Sequence, residues 1–214
     1  IDGPAPKAKL NQQRMRRFKK FYDKDKIDEL NILHNIEDVK KEEWDTNAIT
    51  PGTIFMNKLS NKLKYYYKTK NLKVIISDSN IPGEGEHKLL DHIRNNYVEN
   101  ETNIIYGLDA DLIMLCLIAN KPNIYLLRET VEFDNKIHIK GYNFLYLNID
   151  NLKNNLIIEI ENRMGNILLN KKQKNNIVYD YIFISFILGN DFIPHSPSVG
   201  IKNNGIDLLL DLYV

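Results

Sequence analysis

A run of β-branched residues, Val74-Ile75-Ile76, leads straight into Ser77-Asp78-Ser79-Asn80-Ile81-Pro82-Gly83-Glu84-Gly85-Glu86-His87-Lys88. β-Branched residues favour strands, Pro and Gly punctuate turns, and the pattern that follows is that of an amphipathic helix. The chain therefore predicts a buried strand over 72–77, a tight turn at Pro82, Gly83 and Gly85, and a helix over 88–97 with Leu89, Leu90 and Ile93 inward. Glu84 and Glu86 then sit on a short loop between two regular elements. Crowded carboxylates repel one another, and a chain that gathers them this way usually has a cation to put between them. The stretch reads as half of a divalent-metal site whose other half lies elsewhere in the chain.

Upstream, Asp2-Gly3-Pro4-Ala5-Pro6 is a turn. Ile1 before it reads as the last residue of a strand whose beginning lies outside the sequence, so a fragment is expected. A helix from about Lys7 to Tyr22 follows. At about 100° per residue, Lys9, Gln13, Arg16, Arg17 and Lys20 share one side, while Met15, Phe18, Phe21 and Tyr22 share the other, which is expected to pack. The formal net charge of +1 over 214 residues names no partner. The local distribution does, because neither Arg16 nor Arg17 has an acid at i+3 or i+4 to pair with. A solvated basic face is the plain alternative. Arg forks grip phosphate oxygens in bidentate fashion, and Gln donates without adding charge, so the cluster is well suited to a terminal phosphate.

Residues 22–48 are highly charged and read as a surface insertion with a marginal helix around Ile27 to Ile36. The next helix is expected to start at Thr50 as cap and Pro51 at the first position, with Ile54, Phe55, Leu59, Leu63, Tyr66 and Tyr67 as its apolar stripe. The Tyr65-Tyr66-Tyr67 run is read as packing rather than base stacking. Strands are expected over 103–108, 123–127 and 144–148, an alternating strand or hairpin over 131–140, and helices over 112–118, 151–164, 180–188 and 206–212, with a loop over 165–176. One cysteine, Cys116, excludes an internal disulfide and fits a reducing compartment, so an intracellular protein, cytoplasmic or nuclear, is expected. No run approaches the ~18 apolar residues of a membrane span, and no membrane is expected as partner.

Strands alternating with helices imply an α/β domain with a mainly parallel central sheet flanked by helices. Ligands of such sheets sit beyond the carboxyl ends of the strands. Asp2, Asp78 with Glu84 and Glu86, and Asp109 with Asp111 all follow expected strands, so one edge would carry six acids. Their neighbours are Gly, Pro, Ala, Ile and Leu, which favours a partly dry site over a solvated one.

The segments IDGPAPKAKLNQQRMRRF, ITPGTIFM, NLKVIISDSNIPGEGEHKLLDHIR, IYGLDADLIMLCL and FILGNDFIPHSPSVGI, in that order, resemble the N-terminal catalytic region of the XRN-type 5′→3′ exoribonucleases. These belong to the wider 5′-nuclease, PIN-like group. The resemblance implies metal ligands at Asp2, Glu84, Glu86, Asp109, Asp111 and Asp191, which would hold two Mg²⁺ ions (with Mn²⁺ able to substitute) and carry catalysis. It also implies a 5′-phosphate pocket at Lys9, Gln13, Arg16 and Arg17, and single-stranded RNA with a 5′-monophosphate as substrate. Periodicity alone does not single out Asp191. His87, His195 and Asp78 are read as supporting residues. The family's earlier metal-binding aspartate and base-stacking residue would precede Ile1, and its second conserved region would follow Val214. Residues 1–214 are therefore read as part of a nuclease domain whose parent chain supplies missing parts at both ends.

Other classes stay open on the residues alone. A non-catalytic RNA-binding scaffold would keep the shape, yet binding alone gives no reason to retain acids that repel RNA. A flap-type DNA endonuclease would carry a glycine-rich helical hairpin after the last aspartate, and 198–205 is only a faint echo of one. A phosphatase with an Asp-x-Asp nucleophile would need neither the basic helix nor Glu84 and Glu86.

Overall fold

The computed structural model describes residues 1–36, 44–129 and 144–214, and it divides into two compact units, Ile1–Lys88 and Leu89–Val214. The hairpin expected over 131–140 and part of the expected insertion lie outside the described residues.

In the first unit, α1 spans Lys7–Leu33 and α2 spans Ile54–Lys68. The helix expected to stop near Tyr22 thus continues by eleven residues into the segment read as an insertion. No Gly or Pro interrupts residues 7–50, and helices end where breakers or caps end them. A Lys26–Glu29 ion pair of 2.6 Å adds local support in the extension. The cap of α2 is Thr53, whose Oγ1 accepts from Met56 N at 3.3 Å, rather than Thr50. Its buried side chains are Met56 and Ser60, whereas Ile54, Phe55 and Tyr66 are exposed. The apolar side expected for α1 is exposed too: Met15, Phe18, Phe21 and Tyr22 face solvent, and the buried residue of the helix is Lys9.

Residues 73–77 form no ladder, and Val74 and Ile75 are exposed. The expectation of a buried strand fails there because a strand exists only by pairing. Among the described residues the pairing is limited to bonds with the N-terminal turn. Ile1 N donates to Ser77 O at 3.1 Å, Gly3 N to Gly83 O at 2.8 Å, and Gly83 N to Pro4 O at 3.0 Å.

The first turn of α3 (Gly85–Asn95) closes this unit, three residues earlier than the apolar pattern begins. The second unit continues with β1 (Asn103–Tyr106), α4 (Asp111–Ala119), β2 (Ile124–Glu129), β3 (Phe144–Asn148), α5 (Ile149–Arg163), α6 (Lys171–Ile187) and α7 (Gly205–Tyr213). The α/β class holds. The sheet, however, is among the described residues a mixed one of three strands in the order β1-β2-β3. β1 pairs with β2 in parallel, Ile105 opposite Leu126, and β2 pairs with β3 antiparallel, Leu126 opposite Leu147.

Helix α6 begins nine residues before the expected 180. Asn170 and Gln173 form a reciprocal cap, Asn170 Oδ1 accepting from Gln173 N at 3.0 Å and Gln173 Oε1 from Asn170 N at 2.9 Å. That capping box turns part of the polar 165–176 stretch into helix. Only one side of α6 is buried, by Ile177, Val178, Ile182 and Ile184, while Phe183 is exposed.

The core of this unit joins Ile105 of β1, Ile124 and Leu126 of β2, Leu90 and Ile93 of α3, Leu112 and Cys116 of α4, Ile157 and Ile160 of α5, the four residues of α6 and Leu210 of α7. Cys116 is fully enclosed, and burial pushes its thiol up to about 12, as expected of a core residue without thiolate chemistry. At the surface Arg163 of α5 bridges to α7, with Asp207 at 2.8 Å and Asp211 at 2.6 Å, as well as Glu159 at 2.9 Å on its own helix. Among the described residues no helix is long and apolar enough to cross a membrane.

Candidate metal and phosphate site

Among its described residues the first unit buries several polar groups: Lys9, Asp78, Ser79 and Glu84 are all enclosed. Buried polar groups must find partners, and these partners build the site. Lys88 Nζ donates to Ile1 O at 2.6 Å, Asp78 O at 2.9 Å and Ile81 O at 3.1 Å. An ammonium has three donors, so this side chain is fully used in tying the N-terminal turn and the 78–81 loop to the start of α3.

Asp78, only 2% exposed, is held by the Lys64 ammonium from α2, and its Oδ1 accepts from Asn80 N at 3.0 Å. Lys64, together with the Asn80 amide, holds the Asp78 carboxyl below its ordinary value. Such a group stabilises the fold above its unfolded pKa, and that stability is lost as pH falls through the lowered folded value. Lys64→Met is therefore expected to destabilise the protein near pH 6, and the deficit relative to the parent should shrink as pH drops below the ordinary carboxylate range of about 4. Urea unfolding at pH 6 and pH 3 measures this. A deficit that stays constant between the two would show that the pairing does not anchor the loop.

Asp2 is exposed, and its Oδ1 accepts from Gly85 N, the first amide of α3, at 2.7 Å. A helix N-terminus carries partial positive charge and free N–H groups, so this carboxylate both caps α3 and lies at the edge of the acid cluster. A Cβ on Gly85 would come 3.1 Å from that same oxygen, so glycine lets the carboxylate approach the amide without a shift of a few tenths of an ångström. Glu84 and Glu86 flank Gly85. Together with His87 they offer ligand atoms that all lie within 4.8 Å of one another. His87, read from sequence as a supporting residue, is thus brought up to the carboxylates.

Glu84 is the deepest of the group at 6% exposure. Its Oε1 pairs with Lys9 Nζ at 3.0 Å, and its Oε2 is buried with no hydrogen-bond partner among the described residues. An unmatched buried carboxylate oxygen is costly, and a bound cation would match it. Two carboxylates and an imidazole at this spacing fit a hard divalent ion. The oxygens suit Mg²⁺ or Mn²⁺, and the nitrogen leans toward Mn²⁺.

The remaining expected phosphate-pocket residues follow Lys9 along α1. Gln13 is half-buried, and Arg16 and Arg17 are exposed. Arg17 Nη2 donates to Thr50 Oγ1 at 3.3 Å and Lys20 Nζ to Thr46 Oγ1 at 2.7 Å, so the 46–50 segment steadies this side of the helix.

The other three expected ligands lie in the second unit. Asp109 and Asp111 follow β1 and open α4, with Asp111 N donating to Asp109 Oδ1 at 3.4 Å. Asp191 lies in the turn after α6, where Asn190 Oδ1 accepts from Phe192 N at 2.9 Å and Ile193 N at 2.8 Å. Periodicity passes over Asp191 because this turn is shaped by one side chain bonding its neighbours' amides, a pattern without a repeat. Lys64 and Lys88 carried no sequence signal either, since their partners are far along the chain or are backbone carbonyls.

The family model described as "XRN 5'-3' exonuclease N-terminus" matches residues 1–130, and one described as "Xrn1 helical domain" matches residues 171–214. The chain is 37% identical to 5'-3' exoribonuclease 2 of Candida albicans, over all of this chain and 26% of that protein. It is 37% identical to 5'-3' exoribonuclease 2 of Eremothecium gossypii, over 27% of that protein, and 37% identical to 5'-3' exoribonuclease 1 of Schizosaccharomyces pombe, over 17%. The chain thus spans about a quarter or less of these curated relatives. With a matching model that covers more than half of its length and carries the acid cluster and the basic helix, the chain belongs to the XRN 5′-3′ exonuclease family, of which it represents the N-terminal region.

Proposed function

We propose that this chain is the end-reading and metal-binding part of a 5′→3′ exoribonuclease acting in RNA decay or processing inside the cell, cytoplasmic or nuclear. Its substrate is single-stranded RNA with a 5′-monophosphate, removed one nucleotide at a time. The observation that carries this reading is the Lys9–Glu84 ion pair of 3.0 Å, which joins the basic side of α1 to the acid cluster at the start of α3. The names of its relatives, 5'-3' exoribonucleases 1 and 2, support it.

On this reading Asp2, Glu84, Glu86, Asp109, Asp111 and Asp191 hold two Mg²⁺ ions, with Mn²⁺ as substitute. When bound, the metal supplies an activated water and neutralises charge at the leaving oxygen. Lys9, Gln13, Arg16 and Arg17 bind the terminal phosphate, so each cut is measured from the RNA end. A pocket fitted to one phosphate excludes capped and triphosphorylated ends by size. On this reading segment 72–77, with Ile1 N bonded to Ser77 O, occupies the place of a strand end in the mainly parallel sheet of a 5′-nuclease fold.

The test compares degradation of 5′-monophosphate and 5′-hydroxyl RNA by the full chain, with Mg²⁺ and with chelator. Arg17→Ala is expected to lower the preference for the phosphorylated end about tenfold, the worth of one hydrogen bond to a charged group. Equal preference ratios before and after the change would exclude the phosphate pocket, and undiminished degradation in chelator would exclude the metal site.

A further inference from the structure

The two expected sites share a residue pair. Lys9 is only 9% exposed and sits on α1 one and two turns before Gln13, Arg16 and Arg17, yet its ammonium is 3.0 Å from Glu84 Oε1. Glu84 Oε2 is buried and without a hydrogen-bond partner among the described residues, and Glu84 clusters with Glu86 and His87. One carboxylate therefore pairs with Lys9 through Oε1 and leaves Oε2 open to a second positive group.

From this we infer that Lys9 is a positioning residue for Glu84 which makes divalent-metal binding and 5′-phosphate binding favour each other. The inference rests on the function proposed above.

The physics is that of three charges in a partly dry space. A divalent cation on Oε2 brings positive charge close to the Lys9 ammonium, and like charges interact strongly away from bulk water. A phosphate dianion beside Lys9 offsets that repulsion. It also draws the ammonium toward itself and leaves more of the Glu84 charge for the metal. The metal, in turn, weakens the hold of Glu84 on Lys9 and frees donors for the phosphate. Coupling between two ligands is reciprocal, so each must tighten the other by the same factor. An RNA with a 5′-hydroxyl lacks the dianion and meets a site with weaker metal affinity. The enzyme then rejects it twice, at the phosphate and at the metal.

Mg²⁺ is titrated calorimetrically into the full chain with and without inorganic phosphate, on the scale of free Mg²⁺, and phosphate is titrated with and without Mg²⁺. Each ligand is expected to tighten the other by at least about fivefold, the lower end of typical couplings. In Lys9→Met the factor should fall to about one while Mg²⁺ still binds. Lys9→Arg, which keeps the charge, should retain most of the coupling, and it decides the matter if the Met variant does not fold. Independent binding of both ligands to the parent protein would overturn the coupling and leave the proposed function standing. Coupling that persists unchanged in Lys9→Met would overturn the role of Lys9. A parent protein that binds no Mg²⁺ would overturn the proposed function and this inference together.

Discussion

Glu84→Gln is expected to lower both the stability and the rate of RNA hydrolysis of the full chain, and the two losses have different origins. Glu84 is 6% exposed and Lys9 9% exposed, and their side chains pair at 3.0 Å. Removing one member of a buried pair takes the opposite charge away from the other, at a cost of about 3 kcal/mol. The rate should fall about 100-fold or more, since a neutral amide oxygen binds Mg²⁺ far more weakly than the buried carboxylate oxygen it replaces. The double variant Lys9→Met/Glu84→Gln separates the two effects. Replacing both charges by uncharged groups removes the buried imbalance, so stability measured by urea unfolding should return toward the parent value. The hydrolysis rate should not return. If rate and stability recover together, Glu84 is a structural partner of Lys9 and no metal ligand.

Gly189→Ala should be nearly as damaging, through the backbone. Gly189 has φ +92°, a region that side-chain-bearing residues rarely adopt. An added Cβ would lie 2.5 Å from His195 Cα, 2.6 Å from its N and 2.7 Å from its Cβ. These atoms cannot swing aside as a side-chain tip could, so the turn carrying Asp191 must shift. A stability loss of about 2–3 kcal/mol is expected from the combined strain and clash. If Asp191 ligates metal, a displacement of about 1 Å costs about 100-fold in rate. Gly165→Ala is the matched control: its φ is +77°, but nothing lies within 4 Å of the new Cβ. It should show about 1 kcal/mol of strain and an undiminished rate. A Gly189→Ala protein with parental rate and weakened stability would remove Asp191 from the site.

Much of the candidate site was legible because acids and bases are marked by type and local spacing. Glu84 and Glu86 two apart after a Pro-Gly turn, and Gln13, Arg16 and Arg17 on one side of a helix, need no long-range information. The same local logic located β3 to the residue and placed α4, α5 and α7 to within about two residues. It failed where a boundary depends on a cap rather than a period. Asn170 with Gln173 started α6 early, Thr53 displaced Thr50, and an unbroken run of helix formers carried α1 to Leu33. It failed again over 72–77, where β-branched residues promise a strand but the ladder requires neighbours that propensity cannot supply.

Which residues carry charge, which turns need Gly and which family the chain resembles were all determined by the sequence itself, since each is a property of residue type at short range. The tertiary structure alone decided the partners. Lys9 lies against a carboxylate, Lys64 against Asp78, and Lys88 among three carbonyls. Contacts such as Lys9 with Glu84 and Lys88 with the Ile1 carbonyl, dozens of residues apart, follow from how the chain closes on itself, and closure is set by the summed free energy of the packed unit rather than by any local pattern.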